Sequence, residues 1–180
     1  MILLLALGAI VSFPDYSKLA NGQEQSVPVE RVARGLQLSI LTTKHRYKLN
    51  EQFKMLVMLA NSGKEDVYVL GKLEWGWSAS FLFHLRDASG KEIRPRAFPD
   101  DQTFVSPDDK GAFVKLPPSH FLGTDFFAPL ELLNLNKPGK YSIFVEYHSP
   151  VSAADVEVRP FWGKENEPIK SNVVFIEVVR

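Results

Sequence analysis

The amino-acid sequence predicts an all-β chain in which antiparallel strands form a two-layered sandwich. Three observations lead to this prediction. Apolar and polar residues alternate in several short segments, turn-forming residues separate these segments, and no alternation of strands with helices indicates a parallel sheet. The pattern fits about seven to nine strands, with a long loop before the last one.

The first half of the chain contains three predicted strands and a hairpin. Residues 36–40 and 53–59 alternate between apolar and other side chains, and a further strand begins at Val67. Residues 81–85 form the next strand, which a turn at 87–90 connects to a short returning strand. Because successive residues of a strand point to opposite faces, each segment offers one apolar face to a core.

The second half of the chain ends in its two clearest strands. A short strand is expected at 111–116, and the apolar stretch 124–135 has strand character followed by a corner at 130–133. Residues 141–147 alternate strongly. The chain then leaves the sheet for about twenty residues, an unusually long connection, and returns in a strand whose residues 174–178 place valine and isoleucine on one face.

A Pro-Gly turn leads into the strand that starts at Tyr141. Pro138 and Gly139 form this turn, and Leu135 precedes the tyrosine by six residues. In Greek-key sandwiches a tyrosine at this place closes a corner by bonding a main-chain group upstream. The pattern resembles the tyrosine corner of fibronectin type III and related domains, which makes the expected fold an antiparallel immunoglobulin-like β-sandwich.

A narrower resemblance covers the chain from about residue 36 to residue 179. The order of the turn at 61–63, the hairpin at 85–92 and the Pro-Gly-Lys-Tyr sequence at 138–141 is similar to that of the BsuPI-like proteinase-inhibitor domains. The resemblance implies a bacterial immunoglobulin-like fold only, because many sandwiches with unrelated functions share this turn chemistry.

Length and composition set the class of protein. A chain of 180 residues with 45% hydrophobic residues is expected to form one domain with a packed core. The 21 basic and 21 acidic side chains balance, so no basic excess indicates nucleic-acid binding. The chain has no cysteine, which excludes disulfide bonds, zinc–thiolate sites and thiol nucleophiles.

The N-terminus is an unbroken apolar run over residues 1–11. As a helix this run would span roughly 16 Å, about half of a bilayer's hydrocarbon core, so its length is typical of a secretory signal rather than of a transmembrane helix. A basic segment before it is missing, and a first core strand is the alternative interpretation. We expect a complete or truncated signal peptide at 1–21, a linker at 22–34, and the sandwich at 35–180, without a transmembrane span in the mature domain.

The first candidate site is the sequence Arg159-Pro160-Phe161-Trp162. It is similar to one loop motif of the chagasin-like cysteine-peptidase inhibitors, whose two other loop motifs are not found in this chain. The resemblance implies a peptidase-inhibiting loop. The alternative is that the rings of Phe161 and Trp162 attach a long surface loop to the sandwich.

The second candidate site is a pair of tryptophans, Trp75 and Trp77, which a glycine separates in a turn between strands. Two residues with this spacing share a face if the segment is extended. Aromatic side chains at such a position are typical anchors for a protein partner, or stacking platforms for a glycan together with Trp162. The alternative is that both rings cover an open end of the sandwich.

No motif indicates catalysis or a cofactor. The four histidines lack the spacing of a metal site, and no nucleophile elbow, phosphate loop or dinucleotide fingerprint is present. The repeated Pro-Asp-Asp at 99–101 and 107–109 is an acidic loop that lacks the ligand spacing of an EF-hand, which leaves calcium as an alternative to a solvated loop. We therefore expect no enzyme activity, no cofactor and no bound metal.

The sequence leads to one functional expectation and two alternatives. We expect an exported module, periplasmic or secreted, that binds a protein or a glycan, or acts as a structural domain, without catalysing a reaction. The alternatives are a peptidase inhibitor that uses the 159–162 loop and an accessory domain that recognises carbohydrate. The candidate partner-binding residues are Trp75, Trp77, Arg159, Phe161 and Trp162.

Overall fold

A computed structural model describes residues 35–76, 79–96 and 105–180. The predicted signal peptide at 1–21 and the predicted linker at 22–34 lie outside these residues. The described part of the chain contains eleven strands, joined by turns and by two short 3-10 segments at Lys110–Ala112 and Ala153–Asp155. In chain order the strands are β1 (Leu36–Thr42), β2 (Arg46–Lys48), β3 (Gln52–Asn61), β4 (Val67–Leu70), β5 (Phe81–Asp87), β6 (Glu92–Ile93), β7 (Phe113–Leu116), β8 (Phe121–Pro129), β9 (Gly139–Tyr147), β10 (Ile169–Lys170) and β11 (Val174–Val179).

The strands form two main sheets and a small one. One main sheet has three antiparallel strands in the order β1-β3-β8. The other has the order β2-β11-β9-β5-β6, with β10 paired to β9. Its strands are antiparallel except for β2, which runs parallel to β11. The strands β4 and β7 form a separate antiparallel pair.

The core lies between the facing sides of the two main sheets. The buried residues of both sheets occur at every second position, and they belong to one continuous hydrophobic cluster. This arrangement confirms the predicted all-β, immunoglobulin-like sandwich and the predicted inner faces. The buried positions of four of the predicted strands are Leu36, Leu38 and Ile40; Phe53, Met55, Val57 and Leu59; Tyr141, Ile143, Val145 and Tyr147; and Val174, Ile176 and Val178.

The predicted tyrosine corner is present. The hydroxyl of Tyr141 donates a hydrogen bond to the main-chain carbonyl of Lys137 at 2.7 Å, and Leu135 is fully buried beneath the corner. Burial raises the pKa of Tyr141, with a smaller contribution from the nearby carboxylate of Asp87. The hydroxyl therefore stays protonated and holds the turn against the start of β9.

A second tyrosine joins the small sheet to the large one. The Tyr147 hydroxyl, at the end of β9, accepts a hydrogen bond from the main-chain N–H of Leu70 at 2.9 Å. Both residues are fully buried, and burial raises the pKa of Tyr147 strongly. This contact fixes β4 beside the sandwich, and its partner β7 with it.

The structure adds short strands that the sequence pattern does not reveal. Two of the described strands, β2 and β10, have only three and two residues, too few to show a period of two. They bring the described total to eleven, above the seven to nine expected. Asn61, predicted to lie in a turn, is instead the buried last residue of β3, where its side-chain amide donates to the carbonyls of Glu65 and Leu116.

Candidate functional site

Trp75 lies in the segment that leads into β5 and closes an open side of the sandwich. Its half-buried ring meets the ring of Phe83 at 5.1 Å and that of Phe126 at 5.8 Å between centroids, both edge-to-face. Phe83 belongs to the larger sheet and Phe126 to the three-stranded sheet, so the indole joins the two layers at their rim. Trp77, its predicted companion, lies outside the described residues.

The 159–162 segment is attached to β4 rather than extended from the surface. The N–H of Tyr68 donates to the carbonyl of Pro160 at 2.7 Å, and the N–H of Trp162 donates to the carbonyl of Tyr68 at 2.9 Å. The rings of Phe161 and Trp162 are buried, the second in the main core. Arg159 is exposed, and its guanidinium donates to main-chain carbonyls of the same loop.

The rest of this long loop is also tightly held. The Glu165 carboxylate accepts hydrogen bonds from the hydroxyl of Ser152 and from the N–H of Ala153, and these bonds lower the pKa of Glu165. Gly163 is buried against Ala153 so closely that a β-carbon at this glycine would overlap the main chain. Of the aromatic rings predicted as binding groups, those of Phe161 and Trp162 therefore pack inside the protein.

The outer face of the larger sheet is mostly polar. The imidazole of His84 stacks on the ring of Phe144 at 4.5 Å, and its Nε2 lies 3.1 Å from the carboxylate of Glu146. The ammonium of Lys170 lies 3.5 Å from the same carboxylate. Phe175 on β11 is 63% exposed, so this face also carries a large apolar side chain among its charged groups.

The outer face of the three-stranded sheet carries several apolar side chains, beside the polar residues Gln37, Ser39 and Gln52. Leu41, Phe121 and Phe127 are 55%, 67% and 49% exposed. The strand register places half-buried residues of β3 between them. We call this surface the outer patch, and it consists of Leu41, Leu56, Met58, Ala60, Phe121 and Phe127. Such a face normally carries polar side chains, because one side of an antiparallel sheet meets water.

One ion pair lies among the side chains of the outer patch, next to Phe127. The ammonium of Lys54 lies 3.5 Å from the carboxylate of Asp125 and 4.7 Å from the centre of the Phe127 ring. Lys54 is the cross-strand neighbour of Phe127 in the register of β3 and β8. The edge of β8 thus combines a carboxylate with an aromatic face, and both contact a cation.

A groove of about 330 Å³ runs beside the outer patch, and we call it the β8 groove. It lies between β8 and the segment that precedes β5, and both contribute apolar and acidic residues. The residues that line the β8 groove are Leu73, Glu74, Trp75, Phe81, Thr124, Asp125, Phe126 and Phe127. Its two acidic groups are half-exposed, and Glu74 lies 3.3 Å from the ammonium of Lys72.

The sequence analysis missed both surfaces, although a signal for the outer patch is present. Residues 55–60 form a continuous apolar run, which indicates a strand with two apolar faces rather than one. Phe121 and Phe127 likewise lie six positions apart and share the face opposite to Phe126. The β8 groove has no such signal, since it depends on how the segment before β5 folds back on the sheet.

The acidic loop adds no further site in the described residues. The Asp109 carboxylate accepts the N–H of Gly111 at 3.1 Å and so caps a 3-10 turn, while Lys110 pairs with Glu157 at 2.7 Å. The first Pro-Asp-Asp, at 99–101, lies outside the described residues. Within residues 35–76, 79–96 and 105–180, histidine, aspartate and glutamate form no group of three or more suited to hold a metal ion.

Comparisons with known proteins do not assign this chain to a family. No model of a known protein family and no curated protein matches it. Among solved structures, the CARDB domain of a Pyrococcus furiosus protein, crystallised with di-metal ions, is 13% identical with a TM-score of 0.39, over 80% of this chain and 92% of that one.

Two glucosidases give similar values. A β-glucosidase from Erythrobacter marinus is 14% identical with a TM-score of 0.41, and it matches 80% of this chain but 15% of its own length. A β-glucosidase from Listeria innocua is 14% identical with a TM-score of 0.40, over 81% of this chain and 16% of its own. At these TM-scores the similarities assign neither a family nor a function to this chain.

Proposed function

We propose that the chain is an exported, non-catalytic binding module and that its partner is another protein. The outer patch is the observation that supports this proposal. Contiguous exposed apolar surface on a folded domain is typical of protein–protein contact sites. Burying the exposed part of Phe121 and of Phe127 would contribute about 1–2 kcal/mol for each ring.

A protein partner fits the outer patch better than a glycan does. Sugar recognition needs several polar side chains around an aromatic platform, because each sugar hydroxyl must be hydrogen-bonded when it leaves water. The outer patch offers aliphatic side chains of β3 beside its two rings, and the polar groups on the same face are the ion pair of Lys54 and Asp125 and the uncharged Gln37, Ser39 and Gln52. The rings of Phe161 and Trp162, which the inhibitor and glycan alternatives require, are buried.

Capture from an envelope extract of the source organism tests the binding proposal. The full chain serves as bait beside the variants Phe121→Ser and Phe175→Ser. Phe175 is a matched control, because it is a phenylalanine of similar exposure on the outer face of the other sheet. We expect one protein to be retained by the wild type and by Phe175→Ser and lost with Phe121→Ser. Equal retention by all three baits, or none by any, would contradict a docking role for the outer patch.

Export has its own support and its own test. The apolar run at residues 1–11 has the length of a signal-peptide core. In the described residues no helix has the length and apolar character needed to cross a membrane. We expect the exported fraction of a bacterial host to contain a shortened chain, as measured by intact mass, and the unprocessed chain in the cytosol alone would refute export.

A further inference from the structure

The strand β8 is an edge of its sheet in the described part of the chain. There, β3 is the strand that pairs with it, from Gln52 opposite Pro129 to Ala60 opposite Phe121. In an antiparallel ladder the main-chain N–H and C=O groups of alternate residues point to opposite sides. Every second residue of β8 therefore directs both groups away from β3, and such an edge is a template for a further strand.

The β8 groove follows this edge. Four consecutive residues, from Thr124 to Phe127, line it. Because their side chains alternate between the two faces of the sheet, all four reach one groove only if the groove runs along the strand's side. The opposite wall is also a run of consecutive residues, from Leu73 to Trp75. The β8 groove is thus about 13 Å long, which is the length of four extended residues.

The two sides of the β8 groove carry different kinds of side chain. Toward the interior of the sandwich, the rings of Trp75 and Phe126 and the side chain of Leu73 form an apolar wall. Toward the outer patch, Asp125 and Phe127 already contact the ammonium of Lys54 from the β3 side. Neither lysine nor arginine is among the described residues that line the β8 groove.

An added strand would place its side chains alternately on these two sides. A residue on the inner side would meet the apolar wall. A residue on the outer side would flank Asp125 and Phe127 from the position opposite to Lys54, where the carboxylate and the ring attract a cation. Glu74, at the other lip, is a second half-exposed carboxylate. The β8 groove is therefore complementary to an extended chain in which apolar and basic residues alternate.

We propose that the β8 groove binds an extended segment of a partner protein, which adds to β8 as a fourth strand of the sheet. Main-chain hydrogen bonds to β8 provide affinity, and the alternation of apolar and basic side chains provides specificity. This inference rests on the proposed function, since it states how the partner of the outer patch contacts the domain. Phe127 belongs to both surfaces, and Asp125 of the β8 groove lies on the same face of the sheet, so one partner strand would extend the outer patch sideways.

The probe for the test is a synthetic peptide of about seven residues, capped at both ends, in which valine and lysine alternate. Two matched peptides serve as controls: one alternates valine and glutamate, and the other contains the residues of the probe in blocks. We expect the valine–lysine peptide to bind the full chain about tenfold more tightly than either control. We also expect its binding to slow amide exchange at every second residue of Thr124–Phe127.

A charge reversal sharpens the test. The double variant of Glu74→Lys and Asp125→Lys should prefer the valine–glutamate peptide, whereas a control with Glu92→Lys and Glu167→Lys should keep the preference of the wild type. Glu92 and Glu167 are exposed and lie outside the β8 groove. Circular dichroism and the melting temperature of each variant establish that it is folded. An unchanged preference in the groove variant would overturn the proposal.

Two further outcomes would also overturn it. One is the absence of binding by any of the three peptides. The other is slow amide exchange along both sides of β8 in the free protein, because the edge would then already be paired. Failure here is distinguishable from failure of the proposed function, since Phe121 lies outside the β8 groove and Glu74 outside the outer patch. Phe121→Ser should lose the captured protein and keep the peptide.

Discussion

Two buried or partly buried tyrosine hydroxyls allow a prediction about how hydrogen bonds stabilise this fold. Tyr147→Phe and Tyr141→Phe delete the same oxygen atom at the two ends of β9. The hydroxyl of Tyr147 accepts the N–H of Leu70, and that of Tyr141 donates to the carbonyl of Lys137. The two deletions differ in what they leave behind.

The Tyr147 change leaves a donor without a partner inside the protein. Leu70 is fully buried, so its N–H cannot turn to water once the hydroxyl is gone. An unsatisfied buried donor costs about 1–3 kcal/mol. The Tyr141 change leaves the carbonyl of Lys137, an exposed residue, and water can replace the hydroxyl there. The expected loss is then the net value of one hydrogen bond, about 0.5–1.5 kcal/mol.

Urea denaturation of the full chain measures both losses. We expect the midpoint to fall for both variants and to fall about twice as far for Tyr147→Phe, with an unchanged m-value. Tyr68→Phe is the control, because the half-buried Tyr68 hydroxyl makes no hydrogen bond within the described residues, and its free energy of unfolding should stay within about 0.5 kcal/mol of the wild type. A larger loss for Tyr141→Phe than for Tyr147→Phe would refute this account of the two corners.

Two other predictions concern the long loop and pH. Trp162→Ala should lower the free energy of unfolding by about 3–5 kcal/mol, because the ring lies in the main core. Arg159→Ala should change it by less than about 1 kcal/mol, because this side chain is exposed. Equal losses in urea titrations of the two variants would contradict the packing role of Trp162. Burial lowers the pKa of His148 below its ordinary 6.5, so the folded state binds fewer protons than the unfolded one. The free energy of unfolding should therefore have its full value above pH 6.5 and fall as the pH decreases below 6.5. In His148→Gln, the free energy of unfolding should lose this dependence on pH between about pH 7 and pH 5. If the variant retains the dependence, other groups cause it.

The sequence predicts the inner faces of the longest strands because burial imposes a period of two on them. In β9, Tyr141 and Tyr147 mark the buried side, and Phe144, which alternation assigns to the other side, lies on the outer face against His84. The corner at Tyr141 is equally local, since the turn and the tyrosine are close in the sequence. Alternation and turn chemistry thus establish the sandwich without any long-range information.

Alternation does not establish which side chains remain exposed. Trp162 and Phe161 look like an exposed loop motif in the sequence, but main-chain bonds to Tyr68 turn the segment inward. That contact joins residues about ninety positions apart, and no pattern within either segment predicts it. The edge position of β8 is hidden for the same reason, because the order of strands in a sheet is a property of the whole fold.

The two kinds of aromatic residue in this chain show why burial must be known before a site is assigned. A large ring in a loop gains most by folding back onto the core, and both Trp162 and Trp75 contact core phenylalanines or lie in the core itself. A ring on the outer side of a strand has no such freedom, since the pleat fixes its direction. Phe121 and Phe127 therefore stay exposed unless another chain covers them. In a sandwich of this type, broken alternation within a strand is a stronger indication of a binding surface than a conspicuous tryptophan in a loop.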